Sequence, residues 1–335
     1  AIQCSADHPW LTEHPEWFQH RPDGTLKYAE NPPKKYQDIY NVDFDCDDWA
    51  GLWAALRDVV LTWIDRGVRV FRVDNPHTKA LPFWEWLIAG VRARQPDVVF
   101  LAEAFTYRAM MQELGKAGFQ QGYTYFTWKQ SAAELGEYVT ELAGPEHEFF
   151  RPNFFVNTPD ILTEQLQHGG HRTFVSRLIL AATLSPSYGI YSGYESLEHV
   201  AVRPGSEEYL DSEKFQVRQR QLDGPLLPLV ADLNRIRRTQ PALARLEGTR
   251  VLETENPALF AYAKRAEGDT VLCVVLLEGD GAEGVCIVAD DLGLPPSFEV
   301  VDRLTDERFT WHIGRNYVRL DAATRPAHIL AVVAS

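Results

Sequence analysis

The sequence predicts an α/β chain, a (β/α)8 TIM-type barrel lacking its first strands, followed by an all-β antiparallel sandwich. Three observations predict it. Up to residue 244, short apolar runs alternate with segments of helical period, the pattern of parallel strands joined by helices. From 245 to 335 the helical period stops, and short β-rich runs separated by turn residues take over. The chain opens on Ala1-Ile2-Gln3-Cys4, with neither Met nor a helix cap. That opening reads as the end of a buried strand cut off from its beginning, and so as a fragment of a longer protein.

The elements follow in order. Residues 5–47 carry no sustained period: Pro9, Pro15, Pro22, Asp23-Gly24 and Asn31-Pro32-Pro33 punctuate a long loop, of the kind that is usually functional. Its stretch 21–35 sets Arg21, Lys27, Lys34 and Lys35 against Asp23 and Glu30. Residues 48–66 read as a helix, with Trp49, Leu52, Trp53, Leu56, Val60 and Trp63 at helical spacing and Gly67 ending it. Strands are expected at 68–73, 98–101, 123–126, 153–156 and 186–191, and helices at 80–94, 106–117, 128–143, 171–183 and 225–240. With the opening stub this makes six barrel strands, whereas a closed barrel needs eight, so two would precede residue 1. In the sandwich, strands are expected around Val251, 259–262, 271–277, 285–288, 299–301, 317–320 and 328–333, with turns at Glu267-Gly268-Asp269 and 278–281. The glycine-rich stretch 278–284 reads as a hairpin turn; it lacks the Lys-Ser/Thr of a phosphate loop and opens no helix.

Charge and composition exclude several classes. The 335 residues hold 47 acids and 33 bases, a net charge of −14, which argues against nucleic acid or an anionic membrane as partner. No apolar run reaches membrane-spanning length, and the start does not resemble a signal peptide. Cys4, Cys46, Cys273 and Cys286 form no CxxC pair and are too few for a disulfide framework. Reduced thiols and a cytoplasmic location are the simplest expectation. The 12% aromatic content suits sugar stacking and core filling alike.

Polar residues gather just after the strands, the end of a parallel barrel that carries chemistry. One strand delivers Arg72, Asp74 and Asn75, the next Glu103, and a later one Asn157 and Asp160. Glycosyl transfer with retention needs a nucleophilic carboxylate and a carboxylic acid about 5–5.5 Å apart. A third carboxylate can hold substrate hydroxyls, and an arginine keeps the nucleophile ionised. The alternative is that each acid caps the helix that follows it. The run Asp43, Asp45, Asp47, Asp48 invites calcium, but it immediately precedes a helix, where acids favour the dipole and Asp47 could cap. No metal and no cofactor are expected.

Taken together, Gly67-Val68-Arg69-Val70-Phe71-Arg72-Val73-Asp74, Leu101-Ala102-Glu103-Ala104 and Phe155-Val156-Asn157-Thr158-Pro159-Asp160 resemble the nucleophile, general-acid and third-acid strands of the α-amylase superfamily, glycoside hydrolase family 13. Two departures narrow the resemblance. Pro159 stands where amylases place His, and Ala1-Ile2-Gln3-Cys4-Ser5 stands where they end a strand in Asn-His. Gln3-Cys4-Ser5, Asp7-His8-Pro9-Trp10, the run from Glu30 through Asn31-Pro32-Pro33-Lys34-Lys35-Tyr36 to Tyr40, and Asp74-Asn75-Pro76-His77-Thr78-Lys79 resemble instead the α-1,4-glucan:maltose-1-phosphate maltosyltransferase family within it.

The resemblance implies a retaining glycosyltransferase that moves maltosyl from α-maltose 1-phosphate to α-1,4-glucan. It implies Asp74 as nucleophile, Glu103 as acid and base, and Asp160 as transition-state stabiliser with Arg72 beside Asp74. Gln3, Asn31, Lys34, Tyr36 and Asn75 match the family's donor-phosphate contacts, which suits the chemistry, since a dianionic leaving group needs a cation and neutral donors. His8 and His77 are either site groups or loop residues. The full-length protein is expected to be a homodimer. The rival readings are an amylase-type hydrolase, a trehalose-forming isomerase, or an inactive carbohydrate-binding fragment.

Overall fold

The computed structural model describes residues 1–32, 34–213 and 217–333. Pro33 of the proline pair, residues 214–216 and the last two residues of the expected sandwich lie outside them. Two units form: Ala1–Tyr123 with Phe149–Arg151, and Thr124–Glu148 with the chain from Pro152 onward.

In the first unit, strands Val70–Asp74, Val99–Glu103 and Gln121–Tyr123 lie side by side and parallel. Helices Trp49–Asp65, Leu81–Arg94 and Arg108–Lys116 alternate with them, close to where the apolar period puts them. Phe83, Trp84, Leu87, Val91, Val98, Phe100, Ala102 and Phe119 share one core, and burying each large side chain fully contributes about 1.5–3 kcal/mol. The first helix buries Leu52, Leu56 and Ile64, whereas Trp49 and Trp63, expected on its apolar face, stand half exposed. Asp48, not Asp47, caps it. One carboxylate oxygen accepts the Gly51 N–H at 3.2 Å, and the other accepts the Trp17 indole N–H at 3.0 Å.

Two further expectations for this unit are corrected. Cys4–Ser5 is not part of the parallel sheet: it pairs antiparallel with Lys34–Tyr40, Cys4 opposite Tyr40. Among the described residues the parallel strands therefore number five across the two units, not six. Nor is 5–47 without structure, since Tyr28–Asn31 and Lys34–Tyr40 form an antiparallel hairpin with an irregularity at Tyr28/Ala29. Most of Lys34–Tyr40 is polar and exposed, so it shows no alternating apolar signal; backbone pairing rather than burial makes it a strand.

The second unit holds a parallel pair, Pro152–Phe155 with Ser187–Gly189, and the helices Ala132–Ala143, Gly170–Leu184 and Leu227–Thr239. A reciprocal Ser131–Glu134 capping box starts the first of these helices. The strand expected at 123–126 ends instead at Tyr123, and Tyr125–Trp128 is a 3₁₀ turn, with Phe126 stacked 4.4 Å from Phe154.

Eight antiparallel strands follow, in the spatial order Arg308–His312, Ser297–Asp302, Ala327–Val332, Asp269–Leu276, Leu259–Ala266, Thr249–Thr254, Gly281–Val288, Gly314–Asp321. The two strands at the extremes of this order are consecutive in sequence, so the sheet folds back on itself around Leu252, Leu272, Val274, Val300, Trp311, Val318 and Leu330. This is the sandwich that the β-rich texture predicts. A two-residue turn with Glu267 at φ 53 and Gly268 at φ 80 joins Leu259–Ala266 to Asp269–Leu276. The stretch 278–284 is not a hairpin turn. The strands it joins are not neighbours, so it crosses from one layer to the other, and Gly281 and Gly284 lie within a strand. Arg308–His312 went unexpected, its pattern being too exposed to show an apolar alternation.

All four cysteines are buried free thiols. Among the described residues no helix is long and apolar enough to cross a membrane.

Candidate active site

Arg72 and Asp74 lie two apart on one strand and so share a face. Glu103 is the register partner of Asp74 on the next strand, and neighbouring strands run about 4.8 Å apart. One guanidinium joins the two acids: Arg72 Nη1 donates to Asp74 Oδ1 at 2.8 Å, and Nη2 lies 3.5 Å from Glu103 Oε1. Burial opposes the charge on Arg72, but Glu103, Tyr123 and Asp74 outweigh it and raise its pKa. The Glu103 side chain is 10% exposed and that of Asp74 31%, so Glu103 is the more enclosed of the two acids.

Asn75 follows in the left-handed region, φ 45, ψ 49, a conformation that Asn tolerates better than most residues. Its backbone N–H donates to the Glu103 carbonyl at 3.0 Å, continuing the strand pairing, and also lies 3.2 Å from Glu103 Oε2, while its side-chain amide reaches Asp74 Oδ2 at 3.4 Å. Its Oδ1 accepts from Asn31 Nδ2 at 2.9 Å, which ties the hairpin to the strand end. A 3₁₀ turn, Pro76–Thr78, comes next, held by the Trp84 indole N–H on Pro76 O at 2.9 Å. It delivers Lys79, whose Nζ donates to Asn41 Oδ1 at 3.0 Å. Burial pushes Lys79 down to about 8, with Asp74 opposing.

A small cavity beside Asp74 gathers Gln3, Asn31, Tyr36, Asn75, Thr78 and Lys79. Four of the five donor contacts expected from the sequence thus come together. Lys34 is not among the lining residues; it is exposed, in register with Asn31 on the hairpin. Ala29, Glu30, Thr78 and Lys79 line it as well, without a role attached by the sequence, and Lys79 is the cation among them. Its only signal is its place in the run after Asp74, because a lysine's burial cannot be read from its neighbours in sequence. Burial lowers the pKa of His77, and Asp74 opposes this; its Nε2 lies 3.4 Å from Asn31 Oδ1. His8 accepts the Trp10 N–H at 3.2 Å and stacks edge-on with Trp10.

In the second unit, Asp160 sits half-buried on a tight turn bridged by Thr158 and Ile161, its N–H donating to Thr158 Oγ1 at 3.1 Å. Asn157 is fully buried: Nδ2 donates to Tyr209 Oη at 2.7 Å and Oδ1 accepts from Tyr191 N at 2.8 Å. It therefore fixes loops rather than facing a ligand. Among the described residues one group, His14, Glu16 and Asp48, brings possible metal-ligand atoms within 4.8 Å of one another. Both Asp48 oxygens are already engaged by the helix cap and the Trp17 indole.

Alternating strands and helices, two in-register acids under one arginine, and a following antiparallel sandwich define a chain of parallel β/α-barrel type. The maltogenic α-amylase AmyB of Thermotoga neapolitana shares this fold at a TM-score of 0.74 and 15% identity, over 99% of this chain and 76% of that one. The α-amylase of Geobacillus thermoleovorans does so at 0.76 and 16%, over 99% and 76%. The family described as "GLGE, C-terminal" matches residues 251–332. In sequence the chain is 53% identical to α-1,4-glucan:maltose-1-phosphate maltosyltransferase 2 of Streptomyces coelicolor, over 99% of its own length and 51% of the relative's. It is 51% identical to the maltosyltransferase of Mycolicibacterium smegmatis, over 98% and 49%. The chain is a homologue of these maltosyltransferases, and it spans about half the length of the curated relatives it matches.

Proposed function

We propose that this chain carries the donor-cleaving machinery of a retaining glycosyltransferase, moving maltosyl from α-maltose 1-phosphate to the non-reducing end of an α-1,4-glucan. The observation that carries this reading is Arg72 joining Asp74 and Glu103 across adjacent in-register strands, beside a small polar cavity that Gln3, Glu30, Asn31, Tyr36, Asn75 and Lys79 help to line. Asp74 Oδ1 is held by Arg72, and Oδ2, which has only the long 3.4 Å contact from the Asn75 amide, would attack the anomeric carbon. As that bond forms, the bond from carbon to phosphate oxygen breaks, and Glu103 gives its proton to the departing oxygen. Glu103, now a carboxylate, takes the proton of the acceptor 4-hydroxyl. That oxygen displaces Asp74 from the anomeric carbon, and two inversions give net retention. Gln3, Asn31, Tyr36 and Asn75, with Lys34 from the hairpin, would hold the phosphate. Asp160 would stabilise positive charge on the ring in both steps.

Residues 1–244 would form the catalytic part and 245–335 the accessory sandwich of a cytoplasmic homodimer that needs neither nucleic acid nor membrane. The test is release of inorganic phosphate from α-maltose 1-phosphate in the presence of maltohexaose by the native full-length protein. The expected result is release matched by products two glucose units longer. Cleavage of the glucan without phosphate release would move the chain to the hydrolases.

A further inference from the structure

We propose that Tyr209 is a positioning residue for Asp160: its hydroxyl, together with the main chain of Ser206 and Glu207, fixes the turn that presents the Asp160 carboxylate to the sugar ring. The inference rests on the role proposed for Asp160 and adds what holds that carboxylate in place.

Asp160 lies on a turn closed by two mutual main-chain hydrogen bonds between Thr158 and Ile161, 3.2 Å each. Those bonds fix the shape of the turn and not its direction. The direction is set by one short segment distant in sequence, to which both ends of the turn are tied. Before the turn, Asn157 Nδ2 donates to Tyr209 Oη at 2.7 Å. After it, the Leu162 N–H donates to the Glu207 carbonyl at 2.7 Å. Gln167 adds a third tie, its Nε2 donating to Leu162 O at 2.8 Å and to Ser206 O at 2.9 Å. Asn157 Oδ1 accepts the Tyr191 N–H at 2.8 Å, so the amide that reaches Tyr209 is held at both of its polar atoms.

The segment is itself anchored. Tyr209 is buried, meets the Tyr191 ring edge-on at 5.6 Å and bridges to Ala201. The Trp128 indole N–H donates to Glu207 Oε1 at 2.9 Å. Asn157 and Tyr209 are both buried, and a buried donor that loses its partner pays its full desolvation cost, so the tie holds one geometry. A carboxylate that acts on charge developing in the ring works through fixed distance and orientation. Misplacement by 1 Å can cost ~10²-fold in rate.

The experiment uses the native full-length protein as wild type, Tyr209→Phe, Asp160→Asn and the double variant. Tyr209→Phe keeps the ring and removes only the oxygen that accepts from Asn157. The probe is a maltose mimic with a positively charged ring nitrogen, whose binding reports on the carboxylate that faces the ring, with neutral maltose as the control. Tyr209→Phe should weaken the cationic mimic roughly 10-fold when Asp160 is present and under about 2-fold in the Asp160→Asn background, the non-additivity of residues acting through one another. Maltose binding should stay within about 2-fold, and kcat for phosphate release should fall by the same factor as mimic binding with KM unchanged. Should Tyr209→Phe fail to fold, Gln167→Met, which removes the third tie, takes its place with the same expectation. Equal weakening in both backgrounds, or of mimic and maltose alike, would overturn the assignment. An Asp160→Asn protein that binds the mimic and turns over as wild type does would instead remove the role of Asp160 itself.

Discussion

Lys79 and Lys264 are both lysines whose charge is disfavoured by burial, and they belong to opposite kinds of site. Lys79 is half-buried, lines a cavity and has the Asp74 carboxylate for company. Lys264 is fully buried in the strand Leu259–Ala266, where its ammonium donates at 2.7 Å to the carbonyl of Leu184, the last residue of helix Gly170–Leu184. Arg237 supports the same helix end, donating to the carbonyls of Ala182, Ser185 and Pro186. Helix C-termini leave carbonyls unpaired and carry partial negative charge, so two nitrogen donors there close a buried helix end. A lowered lysine pKa is common to the two residues and does not separate them. What separates them is the surroundings: carbonyls in a closed core against a carboxylate and an open cavity.

Substitutions at four positions break or sharpen that contrast. Asp74→Ala should have the largest effect, a loss of transfer on the order of 10⁴-fold or more with no trapped glycosyl-enzyme. Activity near wild type, measured as phosphate release, would end the reading of Asp74 as nucleophile. Glu103→Ala should slow phosphate departure by roughly 10²–10⁴-fold and slow release of the ester to the acceptor alike. A donor with a better leaving group should recover the first step only, seen as a burst followed by slow turnover.

Lys264→Met should leave the kinetics alone and change stability. Burial pushes the folded-state value down to about 7, against an ordinary 10.5. Between those limits the unfolded chain binds the proton that the folded chain has released, so this group makes stability rise with pH across the window. The amplitude is on the order of a few kcal/mol. Thermal melting from pH 7 to 10 should show that rise in the wild type and a flatter profile in Lys264→Met, with the variant melting higher at pH 7. A profile of unchanged slope would mean that Lys264 is solvated in the native state.

The smallest effect is expected at Asn75. Asn75→Ala and Asn75→Gly both lose the amide contacts to Asn31 and Asp74, but only Gly is at ease at φ 45. The Ala form should be about 1 kcal/mol less stable than the Gly form, with similar activity. Equal melting temperatures would show that the backbone relaxes there.

Much of this was legible in sequence where a local period reports on burial. Helices such as Leu81–Arg94 and strands such as Val99–Glu103 lie within a few residues of their expected places because one face or both must be apolar. Asp74 and Glu103 were legible for another reason: each ends a strand, and parallel strands paired side by side bring their ends to one edge. The hairpin Tyr28–Asn31 with Lys34–Tyr40 was not legible, because pairing without burial leaves no pattern. The 3₁₀ turn at Tyr125–Trp128 escaped because an apolar aromatic run reads as a strand until Phe126 is seen against Phe154.

By itself the sequence determined the alternation of strands and helices, the β-rich second part, and the residue types that glycosyl transfer needs, since these depend on local period and on chemistry. Only the tertiary structure decided the register that sets Asp74 opposite Glu103, the turn that makes Asn75 bridge them, and which lysine lines the cavity. Lys34, Lys79 and Lys264 are chemically one residue in sequence. Pairing, turn geometry and the dielectric around each side chain are properties of distant segments brought together, and they assign one to the surface, one to the cavity and one to the core.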